Sequence, residues 1–117
     1  MDALAAGVVV LVSFPFSDQS HSKMRPAVVL AYAERDDWIL SQVTSKLYGD
    51  NHAIKIDDAD FETGSLRLVS YVRPGKLFTA NNRIIKSQVG KLKDGTFVEI
   101  IEAVVRLLRS SIVSEEE

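Results

Sequence analysis

Arg25, Thr44, Arg73 and His21 are the side chains whose types and settings suit chemistry on a phosphate. Arg25 follows Lys23 at the end of a polar stretch. Its guanidinium can grip a phosphate with paired hydrogen bonds and stabilise a developing oxyanion. Thr44 ends an expected strand, next to Ser45 and Lys46, and its hydroxyl can donate to a phosphate oxygen or a reacting hydroxyl. Arg73 stands before Pro74-Gly75, where a second phosphate contact is possible. His21 lies in the first expected loop, and an imidazole is a side chain that could serve there as a general base. Each has a plainer reading: a surface cation or structural ion pair for the arginines, strand propensity for Thr44, polar surface for His21. Pattern alone leaves both readings open.

Other chemistries lack their residues. The sequence has no phosphate-binding glycine loop, no dinucleotide fingerprint, no nucleophile elbow and no zinc-protease motif. Cysteine is absent and only His21 and His52 are present, which argues against disulfides and a structural zinc site. Acidic residues gather in the runs 57–62 and 115–117, which read as solvated surface. With a net charge of −2, any polyanion site must be local. The start of the chain lacks the basic region of a signal peptide, and no apolar run reaches membrane-spanning length. A soluble cytoplasmic protein is expected.

The elements that must hold these side chains are mostly strands. A length of 117 residues with 46% apolar content predicts one domain over residues 1–117. Residues 8–14 and 27–32 are apolar enough to be buried strands, with a polar loop over 16–24 between them. A turn at 33–37 leads to a third strand at 38–44. After a loop at 45–51 come a short strand at 53–56 and an acidic loop ending at Gly64. Two strand segments, 65–72 and 76–79, are interrupted at Pro74-Gly75. Residues 83–91 suggest a short helix stopped by Gly90. Phe97, Ile100, Ile101, Val104, Val105 and Leu108 form a helical stripe, and Thr96 with Glu99 has the form of a capping box. The fold expected is mainly β, a small curved sheet or barrel with a C-terminal helix packed on it. So few strands should not cover both faces of 8–12 and 27–30, which predicts a homodimer.

Four blocks in order resemble the MazF/PemK family of toxin ribonucleases. The first runs from Gly7 through Ser13-Phe14-Pro15-Phe16 to Ser20, Lys23 and Arg25-Pro26-Ala27-Val28. The second is Gln42-Val43-Thr44-Ser45-Lys46, and the third is Ser70-Tyr71-Val72-Arg73-Pro74-Gly75-Lys76. The fourth runs from Ile84 to Leu92 and the helix. The resemblance implies an SH3-like small β-barrel of the CcdB/MazF toxin type, a homodimer, a cognate antitoxin, and metal-independent cleavage of single-stranded RNA without a cofactor. Arg25 and Thr44 would correspond to the family's catalytic Arg and Thr. Ser20, Lys23, Ser45, Lys46, Arg73 and Lys76 are the expected RNA-binding residues. The substrate's own 2′-hydroxyl would be the nucleophile, which demands RNA.

One position departs from the pattern. Some relatives use an acidic residue two places after the Arg of the third block as a base, and here that place is Gly75. His21 or water would then take the proton, with Asp18 a more remote substitute. Two other classes share the fold expectation: a CcdB-like gyrase poison and a non-catalytic SH3-like binding module. The gyrase poisons resemble this sequence less, since their activity needs a Trp-Gly-Ile terminus and this sequence ends Ser-Glu-Glu-Glu.

Overall fold

Val8 to Val12 is apolar at every position, so this segment is stable only with both of its faces covered. The computed structural model, which describes residues 3–15, 22–47 and 49–112, shows how one chain does so. Seven antiparallel strands form a single curled sheet, a half-barrel. They are β1 (Val8–Pro15), β2 (Ser22–Tyr32), β3 (Asp37–Thr44), β4 (Ile54–Ile56), β5 (Phe61–Gly64), β6 (Ser70–Asn81) and β7 (Ile85–Leu92). Their spatial order is β4-β6-β3-β2-β1-β7-β5. Helix α1 (Asp94–Arg109) follows.

Alternate side chains of the central strands enter two separate cores. Val9, Val28, Leu30, Val43 and Val72 pack with Ile56, Phe61 and Leu92 and with Ile100 and Val104 of α1. Val8, Val10, Val12, Ala27 and Val29 pack on the other face with Leu40 and Ala80, edged by Trp38, Phe78 and Ile85. The curl brings the far ends of β3, β6 and β7 over the strands at the centre. The expectation that one chain leaves these strands half uncovered is therefore corrected: Val9, Val10, Val12, Val28 and Val29 are fully buried without a second copy.

Several boundaries also differ from the sequence reading. Strand β2 begins at Ser22, so Lys23, Met24 and Arg25 stand on a strand paired with β1 rather than in the loop. The expected helix at 83–91 is a single 3-10 turn (Asn82–Ile84) followed by β7. Gly90 is a strand residue there: a Cβ would lie 2.7 Å from the Phe61 ring, so glycine lets β5 close on β7. The acidic stretch contains a 3-10 turn (Asp58–Asp60) and strand β5. Its carboxylates serve structure, since Asp57 and Asp60 form a reciprocal cap and Asp60 accepts a hydrogen bond from the Thr96 hydroxyl at 2.9 Å. Thr96 is thus bonded to a loop, and α1 starts earlier, at Asp94. The helical stripe divides: Ile100 and Val104 are buried, while Val105 and Leu108 are exposed.

Pro74 does not end β6. Ser41 pairs with Leu77 and Val43 with Val72, so residues 73–76 bulge out opposite the single residue Gln42. Pro74 needs no ladder partner in such a bulge. The Ser41 hydroxyl donates to the freed carbonyl of Arg73 at 2.6 Å. Gly75 leaves room for α1, where a Cβ would sit 3.3 Å from Leu107 Cδ2.

Candidate functional site

Arg25 and Thr44 are brought together by strand register. Val12 pairs with Arg25 on β1–β2, and Ala27 pairs with Gln42 on β2–β3. Two residues further along both of the latter strands stand Arg25 and Thr44, on neighbouring strands and with the same parity. Both line one cleft of about 310 Å³ at this end of the sheet, together with Lys23, Ser45 and Lys46. A strand position fixes a backbone more tightly than a loop does, so the two groups are held on rigid supports.

The cleft is electropositive. Lys23, Arg25 and Lys46 line it, and among the described residues no carboxylate does. Arg25 is half-buried, while the two lysines are exposed. The Lys46 amide donates to Thr44 Oγ1 at 3.1 Å. That contact uses a lone pair, so the hydroxyl proton of Thr44 is directed elsewhere and can be donated. Met24 and Leu68 give the cleft an apolar margin, and Leu68 is 65% exposed. Preorganised cations beside a hydroxyl donor can bind a phosphodiester and stabilise charge that builds up on it.

Arg73 and Lys76 do not line this cleft. Arg73 Nε donates to Asp50 Oδ2 at 2.9 Å, with both side chains largely covered. The Arg73 hydrogen bond, backed by one from the His52 backbone amide, holds the Asp50 carboxyl below its ordinary value. Lys76 is exposed, on the bulge that packs against α1. Ser20 and His21 lie outside the described residues, as does Asp18. Sequence reading missed three residues. Met24 and Leu68 looked like parts of a loop and of a strand, although an apolar pair at 68–69 beside Arg67 was a signal of an exposed edge. Asp50 was read only as a turn residue.

The family model of PemK-like, MazF-like toxins of type II toxin-antitoxin systems matches residues 5–108. This chain belongs to the MazF/PemK toxin family. Its half-barrel is similar to MazF in a MazE–MazF structure from Deinococcus radiodurans, with TM-score 0.71 and 20% identity over 88% of this chain and 94% of that one. It is also similar to an endoribonuclease in complex with its cognate antitoxin from a mycobacterial species, with TM-score 0.69 and 15% identity over 92% and 95%. The Mycobacterium tuberculosis toxin MazF-mt6 is similar at TM-score 0.62 and 14% identity over 85% and 95%. No protein of curated function matches the sequence. Among the described residues of this MazF/PemK chain, no helix is long and apolar enough to cross a membrane.

Proposed function

We propose that this single-domain toxin is a metal-independent endoribonuclease that cleaves single-stranded RNA in the cytoplasm. The observation that carries the reading is the convergence of Arg25 and Thr44 in one cleft with Lys23, Ser45 and Lys46. The substrate supplies the nucleophile. A base removes the 2′-hydroxyl proton, the 2′-oxygen bonds to the adjacent phosphorus, and the bond to the 5′-oxygen breaks as that oxygen takes up a proton. Products are a 2′,3′-cyclic phosphate upstream and a 5′-hydroxyl downstream. Negative charge grows on the non-bridging oxygens in this step, where Arg25 can offer two parallel N–H donors and Thr44 one O–H donor. Lys23, Lys46 and Ser45 suit the flanking phosphates, and Arg73 and Lys76 extend the track. His21 or a water takes the base's part.

Two partners complete the proposal. The solved relatives in complex with antitoxins support a cognate antitoxin for this chain. A disordered acidic segment would suit a cleft lined by three cations. A homodimer is supported by the outward face of α1, where Val98, Val105 and Leu108 are all exposed. The deciding experiment treats an RNA oligonucleotide with the purified protein in EDTA, beside copies carrying a single 2′-deoxy position. Cleavage that stops when the 2′-hydroxyl at the cut site is removed supports the scheme. Cleavage that survives this removal, or that needs a divalent ion, rejects it. RNA binding without cleavage would make the chain a non-catalytic module.

A further inference from the structure

The loop that follows Thr44 is organised by one side chain. Asp50 Oδ1 accepts the His52 amide at 2.9 Å, and Oδ2 accepts Arg73 Nε at 2.9 Å. The Asp50 backbone amide donates to the Leu47 carbonyl at 3.2 Å, and its own carbonyl accepts from Ala53 at 3.2 Å. These bonds shape the turn and clamp it to β6. The clamp falls close to the cleft in the fold: Arg73 follows Val72, which pairs with Val43, and Tyr71 pairs with Thr44. Between the clamp and Thr44 stand Ser45 and Lys46, which line the cleft and are exposed.

We infer that Asp50 is a positioning residue, holding Ser45 and Lys46 beside Thr44 by anchoring their loop to β6 through Arg73. Asp50 touches no substrate in this arrangement. It acts through backbone geometry on the groups that do. A carboxylate is required because it accepts two hydrogen bonds at once, one on each oxygen, while asparagine has a single acceptor oxygen and can serve His52 or Arg73 but not both. The consequence for cleavage rests on the proposed function above, whereas the placement of the loop does not.

The full-length protein tests this as wild type, Asp50→Asn and Arg73→Lys. Amide NMR resonances of Ser45 and Lys46 are compared with those of Val9 and Val10 in the core. Both variants should shift the first pair and leave the second unmoved, which also shows that they are folded. On an RNA oligonucleotide, Asp50→Asn should lower kcat about tenfold to a hundredfold, the effect expected of small misplacement, with KM changed much less. If the Ser45 and Lys46 amides do not move, the inference is overturned, whether or not the wild type cuts RNA. If they move and kcat is unchanged, the positioning role is overturned. If the wild type cuts no RNA while the amides move, the proposed function fails and the anchoring of this loop by Asp50 stands.

Discussion

Replacing Arg25 with alanine is the most direct challenge to the reading of the cleft. Arg25 stands on β2, held by its pairing with Val12, and its side chain is half-buried. It belongs to neither apolar core. Truncation should therefore leave the sheet intact and remove one preorganised donor. Loss of such a donor costs about 3–4 kcal/mol of transition-state stabilisation, or about a hundredfold to a thousandfold in rate. Binding should suffer less, since Lys23 and Lys46 still face the phosphates. Each phosphate contact with single-stranded RNA contributes about 0.7 to the slope of log affinity against log salt. The three cations of the cleft predict a contribution of about −2 to this slope, and Arg25→Ala should flatten it by less than 1. Arg25→Lys keeps the charge and loses the planar fork, so its rate should fall between the two. Single-turnover cleavage of a labelled oligonucleotide in EDTA measures the rate, and a salt titration of binding measures the slope. If Arg25→Ala cuts within about threefold of wild type, Arg25 is not the group that stabilises the phosphorane. If binding weakens while the single-turnover rate at saturating protein is unchanged, Arg25 holds the substrate and does nothing further in the transition state.

Thr44→Val keeps the β-branched shape and deletes the hydroxyl, so cleavage should slow while the circular dichroism spectrum and melting temperature change little; unaltered cleavage removes Thr44 from the mechanism. Leu108→Glu should convert a dimer into a monomer by light scattering. Val98, Val105 and Leu108 are exposed on one helix, and a charge there would oppose its burial against a second copy. A wild type that is already monomeric at high micromolar concentration refutes this. For Asp50 the sign follows from a carboxyl held below its ordinary value. Its ion pair with Arg73 stabilises the fold above the unfolded value, about 3.9, and that contribution is lost as pH falls through the lower folded value. Chemical denaturation should therefore show wild type more stable than Asp50→Asn at pH 5 to 7, with the difference disappearing in strong acid; a difference that persists there contradicts the assignment.

The sequence made β1, β2 and β3 legible because an unbroken apolar run has few structural options and their turns carry local signals. The helix was legible from its period. Three features were hidden because they depend on contacts distant in sequence. Residues 83–91 read as a short helix with Gly90 as its stop, yet most of them add to the sheet beside β1, where Gly90 admits Phe61. Pro74 reads as a strand break, but a bulge absorbs it and the Ser41 hydroxyl satisfies the carbonyl beside it. Thr96 has a capping sequence, and Asp60, far back in the chain, takes its hydroxyl instead. In each case a tertiary partner outbid a local preference, which is where pattern reasoning is weakest.

The candidate site divides along the same line. Arg25 and Thr44 were legible as chemistry but their proximity was not, because it depends on the register between β2 and β3. Arg73 was legible as a cation near a break, while its partner Asp50 was not, since the two are joined only by the folding of the turn against β6. That pairing also bears on how a chain of net charge −2 can offer a site to a polyanion. Its carboxylates at 50, 57, 58 and 60 are spent on hydrogen bonds to Arg73, to backbone amides, to Ser65 and to Thr96. None of these four lines the cleft, whose described lining includes three cations, Lys23, Arg25 and Lys46. The local field is thus set by placement of charge rather than by its total, because the interaction of exposed charges is largely screened beyond about 10 Å at ordinary ionic strength. A phosphate entering the cleft meets Lys23, Arg25 and Lys46 in its lining, whatever the net charge of the whole sequence.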